Sequence, residues 1–142
     1  MRSRSFAIVL VIALGTVSSL PGEDAVLQTL ARGAALNAEG NFRAALTLVQ
    51  PLLDSSSEKG DRAIAGVAWD IRGLALQSLG RPDEARRSYE SALSILRSMP
   101  DQKIQYANAL DNLGSLEAEN GQISESKALR LKAREVYRSA GD

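Results

Sequence analysis

Cysteine and histidine are both missing from the 142 residues. Their absence removes disulfides, thiolate and imidazole metal ligands, and every catalytic triad built on either side chain. A metal site would have to use carboxylates alone, and no stretch spaces Asp and Glu as a calcium-binding loop does, so neither metal nor cofactor is expected. Aromatics are scarce at 4% and proline occurs only four times. Alanine and leucine dominate instead, a balance that suits closely packed helices better than a β core. Charge of neither sign prevails, with 17 basic and 17 acidic residues, so no overall field steers the chain to nucleic acid or an anionic membrane. Nucleic-acid binding is further disfavoured by the lack of an aromatic-interleaved basic platform. With no nucleophile elbow, Ser-x-x-Lys arrangement or glycine-rich phosphate loop either, the chain is expected not to be an enzyme.

The amino terminus is a separate object. Arg2 and Arg4 precede an unbroken apolar run from Phe6 to Leu14, and Gly15 to Ser19 are small or polar. This is the pattern of a secretory signal over residues 1–19, with Val17 and Ser19 as the small residues before a cut. The run falls short of the roughly 20 apolar residues of a comfortable membrane span, although extension to Leu20 leaves an uncleaved anchor as the alternative, the one route to a membrane. No cysteine is available for lipoprotein acylation. Export to a periplasm or to the exterior is therefore expected, and loss of Arg2 and Arg4 leaves the mature chain mildly acidic.

Beyond the signal, small residues return at a fixed interval. Gly33, Gly73 and Gly114 form one series, Gly40, Gly80 and Gly121 a second, and Ala45, Ala85 and Ser126 a third, all 40 or 41 residues apart. A fourth, Gly60-Asp61, Pro100-Asp101 and Gly141-Asp142, keeps the same spacing and joins a helix stop to an N-capping acid. Four coincident series mark three repeats, 24–60, 61–100 and 101–140. Each is expected to hold two helices: Asp24–Glu39 and Phe42–Ser57, Asp61–Leu79 and Pro82–Ser98, Asp101–Asn120 and Ile123–Ser139. Pro82 suits a first helical turn, whose N–H is unpaired anyway. Pro51 lies inside its helix, where a kink or a shortened ladder is expected.

The central unit sets Trp69, Leu76 and Tyr89 against Gly73, Gly80, Ala85 and Ala92. That spacing resembles the tetratricopeptide repeat (TPR), and the resemblance covers about Asp24 to Ala140. The usual period is about 34; the excess here is close to two helical turns, as in the long repeats of kinesin light chain. The resemblance implies an all-α fold, a right-handed α-solenoid of three antiparallel helix pairs. The middle repeat fits best, apart from Arg72 where Leu is expected. The outer ones depart further, with Thr29 and Leu52 in the first, and Ser126 and Arg130 in the third at the small and aromatic positions of the second helix.

The resemblance also implies where a ligand would lie: along the concave wall formed by the first helix of each pair. The corresponding positions are Leu27, Leu30, Ala31, Ala34 and Asn37; then Val67, Asp70, Ile71, Leu74 and Gln77; then Asn108, Asp111, Asn112, Ser115 and Ala118. Of these, Asn37, Asp70, Leu74, Gln77, Asn108, Asp111, Asn112 and Ser115 are the candidate peptide contacts. A carboxamide at Asn112 can donate to and accept from an extended peptide backbone, or it is a solvated helix residue. Asp70 and Asp111 either give the wall a negative charge that favours a basic peptide or make ordinary contacts along their helices. The clamp by which related repeats grip a terminal carboxylate needs Lys and Asn, and Leu30, Asp70 and Asp111 stand there instead. Trp69, Tyr89, Phe42, Tyr106 and Tyr137 are expected in the core. Lys127, Arg130, Lys132, Arg134 and Arg138 scatter around the last helix as a solvated face.

Gly141-Asp142 stands where a further repeat would start, and Leu129, Leu131, Val136 and Tyr137 are expected to leave an apolar stripe on the last hairpin, a candidate self-association surface. Two functions are compatible with this pattern. One is an adaptor that binds a protein or peptide on its inner wall; the other is a structural or self-associating unit, or the front of a longer exported repeat protein.

Overall fold

A computed structural model describes residues 21–56 and 62–141; the candidate signal, the Gly60-Asp61 stop and Asp142 lie outside the described residues. Within them the chain forms six α-helices, α1 (Pro21–Ala38), α2 (Phe42–Ser56), α3 (Arg62–Ser78), α4 (Pro82–Leu96), α5 (Lys103–Glu119) and α6 (Ile123–Gly141), with a 3-10 turn at Pro100–Gln102 before α5. The described residues contain no strand. They pack as three consecutive pairs, α1–α2, α3–α4 and α5–α6; each pair also leans on the next through α2–α3 and α4–α5, while α3 touches both α1 and α5. This succession is an α-solenoid, with the first helices side by side on one wall.

The turns explain the pairing. Gly40, Gly80 and Gly121 have φ of 79°, 71° and 79° and are the positive-φ residues of the described chain. Each lets the chain reverse where a Cβ would be strained. Around each, the same two backbone bonds close the helix: Gly40 N–H to Asn37 C=O and Asn41 N–H to Leu36 C=O, then Gly80 to Gln77 and Arg81 to Leu76, then Gly121 to Ala118 and Gln122 to Glu117. This is a Schellman motif, formed three times.

A second series governs how closely the paired helices approach. A Cβ added at Gly33 would lie 3.0 Å from Val49 Cγ1, one at Gly73 2.6 Å from the Tyr89 ring, and one at Gly114 2.9 Å from Arg130 Cγ. In all three the covering residue follows its glycine by 16 positions. Arg130 thus occupies the aromatic position of the third pair with its aliphatic stem, as long charged side chains do on apolar surface. Ser126 is buried there beneath it.

The apolar core straddles the repeats rather than filling each alone. Leu27, Leu30, Val49 and Leu53 of the first pair join Ala63, Val67, Ala68 and Ile71 of α3. Leu76, Ala85 and Tyr89 join Leu113 and Leu116 of α5. Trp69 packs half-buried against this first cluster and against one formed by Ala92, Leu96 and Ala109. Burial of such side chains stabilises by about 1.5–3 kcal/mol each, so adjacent pairs depend on one another.

Several expectations are corrected. Among the described residues, helix α1 already includes Pro21, three residues before the expected start at Asp24. Pro51 lies inside α2, which continues on both sides of it; its missing N–H takes one bond from the ladder, and its position on the exposed side lets the freed carbonyl reach water. Gly141 does not stop α6 but belongs to it. Tyr137 lies outside the core, 38% exposed. Arg72, at the expected Leu position, lies 5.3 Å from the centre of the Trp69 ring and donates to Ser88 Oγ at 2.8 Å, so its cation is stacked and bonded rather than stranded.

Candidate functional site

The inner wall is built by α1, α3 and α5, and at its centre lies a hollow of about 340 Å³. Leu30, Ala31 and Ala34 line it from α1, Val67, Asp70 and Ile71 from α3, and Gln105 and Asn108 from α5. Three helix pairs therefore share one concavity, apolar along α1 and at Val67 and Ile71, polar at Asp70 and along α5. The period of 3.6 residues puts each set on one helix face; the straddling core sets the helices at a distance that leaves the space between them.

Asp70 is the charged group of the hollow. Its carboxylate accepts from Asn112 Nδ2, with distances of 3.0 and 3.2 Å to the two oxygens. Burial pushes its pKa up to about 6, while the Asn112 hydrogen bond acts in the opposite direction. Among the described ion pairs, Arg32–Glu39, Arg81–Glu84, Arg86–Glu117 and Arg130–Asp111, none involves Asp70. Gln105 is 5% exposed and its Oε1 makes no hydrogen bond within the protein. Asn108 is half-buried and accepts a bond from the Tyr137 hydroxyl of α6; burial, then the charges of Asp111 and Asp70, raise the Tyr137 pKa and keep that hydroxyl a donor.

The other candidate residues are placed differently. Asn37 is not free on the wall: it is 7% exposed and its Nδ2 donates to the Ile71 carbonyl at 2.9 Å, tying α1 to α3. Asn112 spends its amide on Asp70, tying α3 to α5. Gln77 does the same one turn or more beyond, donating from Nε2 to Glu119 Oε1 at 2.7 Å and accepting from the Tyr89 hydroxyl at 2.8 Å. Burial, and then the charges of Asp70 and Glu119, push the Tyr89 phenol well up and keep it protonated for that bond. Asp111 is exposed, 3.9 Å from Arg130. Leu74 is 37% exposed and Ser115 half-buried. Of the eight candidate contacts, Asp70 and Asn108 line the hollow.

Gln105 is the lining residue that the family positions do not include. It lies three residues before Asn108, one turn away on the same face of α5, and that spacing is the signal that identifies it. No cluster of His, Cys, Asp or Glu that could hold a metal ion occurs among the described residues. None of their helices is long and apolar enough to cross a membrane.

Helix–turn–helix units in succession, closed by one recurrent turn and sharing one concave wall, define an all-helical repeat protein. A stretch of 93 residues, 66% of the chain, is 34% identical to the Homo sapiens protein called SH3 domain and tetratricopeptide repeat-containing protein 2. It spans 7% of that protein's length. No family model matches the chain, and no solved structure matches it.

Proposed function

We propose that the protein is a non-catalytic interaction module that binds an extended segment of another protein along the wall formed by α1, α3 and α5. The observation that carries this reading is the shared hollow, to which all three helix pairs contribute lining residues. Its size lies within the range of about 300–1,000 Å³ typical of ligand sites, and its mix of apolar wall and polar groups suits side chains of a peptide. The similarity to a tetratricopeptide-repeat protein supports the same class of function. On this view the repeats are of the long-helix, kinesin-light-chain-like kind, a reading supported by their period of 40 to 41 residues. In this reading the three repeats are 24–60, 61–100 and 101–140, and residues 1–19 direct export. Recovery of a mature form beginning at Leu20, identified by mass spectrometry, tests the export step; an intact amino terminus on exported protein means an anchor instead.

The test of the binding reading is selection of a displayed random-peptide library against the full chain, followed by competition with the Ala34→Trp variant. Ala34 is exposed and lines the hollow, so the indole fills the space without entering the core. Peptides that bind the native protein and lose binding to the variant support the reading. Peptides indifferent to the substitution refute it.

A second reading rests on α6, whose Ile123, Leu131 and Tyr137 are 52%, 49% and 38% exposed. These side chains favour self-association through the carboxy-terminal hairpin. Analytical ultracentrifugation of the native chain and a Leu131→Glu variant decides it: a native dimer that the variant loses supports association, and a native monomer excludes it.

A further inference from the structure

The polar lining of the hollow holds two acceptors short of donors, at Asp70 and Gln105. Asp70 carries a carboxylate with room for about four hydrogen bonds, and Asn112 supplies one nitrogen shared between its oxygens. No Lys or Arg among the described ion pairs reaches it. On the facing helix, Gln105 is almost wholly buried with an unbonded Oε1, a state that costs roughly 1–3 kcal/mol until a donor arrives. The terminal torsion of glutamine is broad and nearly two-fold, so a half-turn exchanges Oε1 with the amide nitrogen at little cost. No Lys or Arg side chain is among the residues that line the hollow.

The remaining walls, Leu30, Ala31, Ala34, Val67 and Ile71, are aliphatic. An occupant that satisfies both halves has a hydrocarbon stem and a cationic head with several donors. Lysine offers a compact, strongly hydrated ammonium whose transfer into an apolar cavity is costly. Arginine offers a planar, weakly hydrated guanidinium with five donors, able to address acceptors on two helices at once. Resting on the inner-wall reading above, we infer that the hollow is an anchor pocket for one arginine side chain of the bound segment, with Asp70 pairing the guanidinium, Gln105 accepting from it, and Leu30, Val67 and Ile71 covering its stem.

The test uses the full chain and three fluorescein-labelled octapeptides of Ser, Ala and Gly, identical except for a central arginine, citrulline or norleucine, with binding read by fluorescence anisotropy. Citrulline keeps the shape and removes the charge. The arginine peptide is expected to bind at least about ten-fold more tightly than either other peptide. Asp70→Asn, which retains an acceptor for Asn112, is expected to reduce it to the citrulline level, and Gln105→Leu to weaken it several-fold. Equal binding of the arginine and citrulline peptides, or an arginine peptide indifferent to Asp70→Asn, overturns the anchor. The library selection separates the two levels of failure. Wall-dependent binders without enriched arginine overturn the anchor alone, and absence of any wall-dependent binder overturns both.

Discussion

The amide nitrogen of Asn112 sits 3.0 Å from Oδ1 and 3.2 Å from Oδ2 of Asp70, a residue 42 positions earlier in the chain. The bond crosses from one repeat to the next in the middle of the concave wall. It leaves the carboxylate compensated by a neutral donor and without a counter-ion, which is why burial dominates its titration.

That imbalance makes stability depend on pH in an unusual direction. The folded Asp70 pKa of about 6 lies above its ordinary 3.8, so between these values the folded chain holds a proton that the unfolded chain has released. The contribution of this group to stability therefore falls as pH rises from about 4 to about 6, and levels off above. A rise of this size corresponds to at most about 3 kcal/mol; because the side chain is only half-buried, solvent screening makes about 1–2 kcal/mol the expected loss. Tyr89 and Tyr137, which feel the Asp70 charge, remain protonated throughout this window. Urea midpoints of native protein and Asp70→Asn, measured from pH 4 to 7.5, should show the variant free of this slope and more stable at pH 7.

Asn112→Ala removes the donor that opposes burial. The Asp70 titration should then move higher still, read by carbon-13 NMR of the carboxyl group. A titration that stays in place means that Asn112 does not support the charge.

The glycines under Tyr89 and Arg130 should respond unequally to alanine. At Gly73 the new methyl group would lie 2.6 Å from ring atoms of a wholly buried tyrosine, an overpacking worth about 1–3 kcal/mol. At Gly114 it would meet Arg130 Cγ at 2.9 Å and the Ser126 carbonyl oxygen at 3.3 Å, a milder clash of which the helix-propensity gain of about 1 kcal/mol offsets part. Urea denaturation should find both variants destabilised, Gly73→Ala by the larger amount.

Arg86 and Glu117 join α4 to α5 through two bonds, Nε to Oε1 at 2.7 Å and Nη2 to Oε2 at 2.9 Å. The Glu117 side chain is only 3% exposed and Arg86 36%. Arg86→Ala strands a buried carboxylate and should cost about 2–3 kcal/mol, whereas replacing both residues by methionine should cost much less. A double-mutant cycle checks this: additive losses would mean that the two side chains act independently.

Much of the architecture was legible because it rests on backbone geometry. Positive φ at Gly40, Gly80 and Gly121, and close approach at Gly33, Gly73 and Gly114, admit few other residues, so both series stand in the sequence at a visible period. The polar ties were not legible in the same way. Asn37 meets Ile71 34 residues on, while Gln77 and Asp70 meet Glu119 and Asn112 42 residues on; which side chains touch depends on how one pair is offset against the next. The same offset decides that Asn37 is buried and that Gln105 enters the hollow.

Those ties have a mechanical consequence. Each joins neighbouring inner helices across a repeat boundary, so flattening or tightening the curve would break charged or buried hydrogen bonds in several places at once. The surface is held in shape in advance, so in the proposed binding reading the entropy lost on complex formation would fall chiefly on the guest.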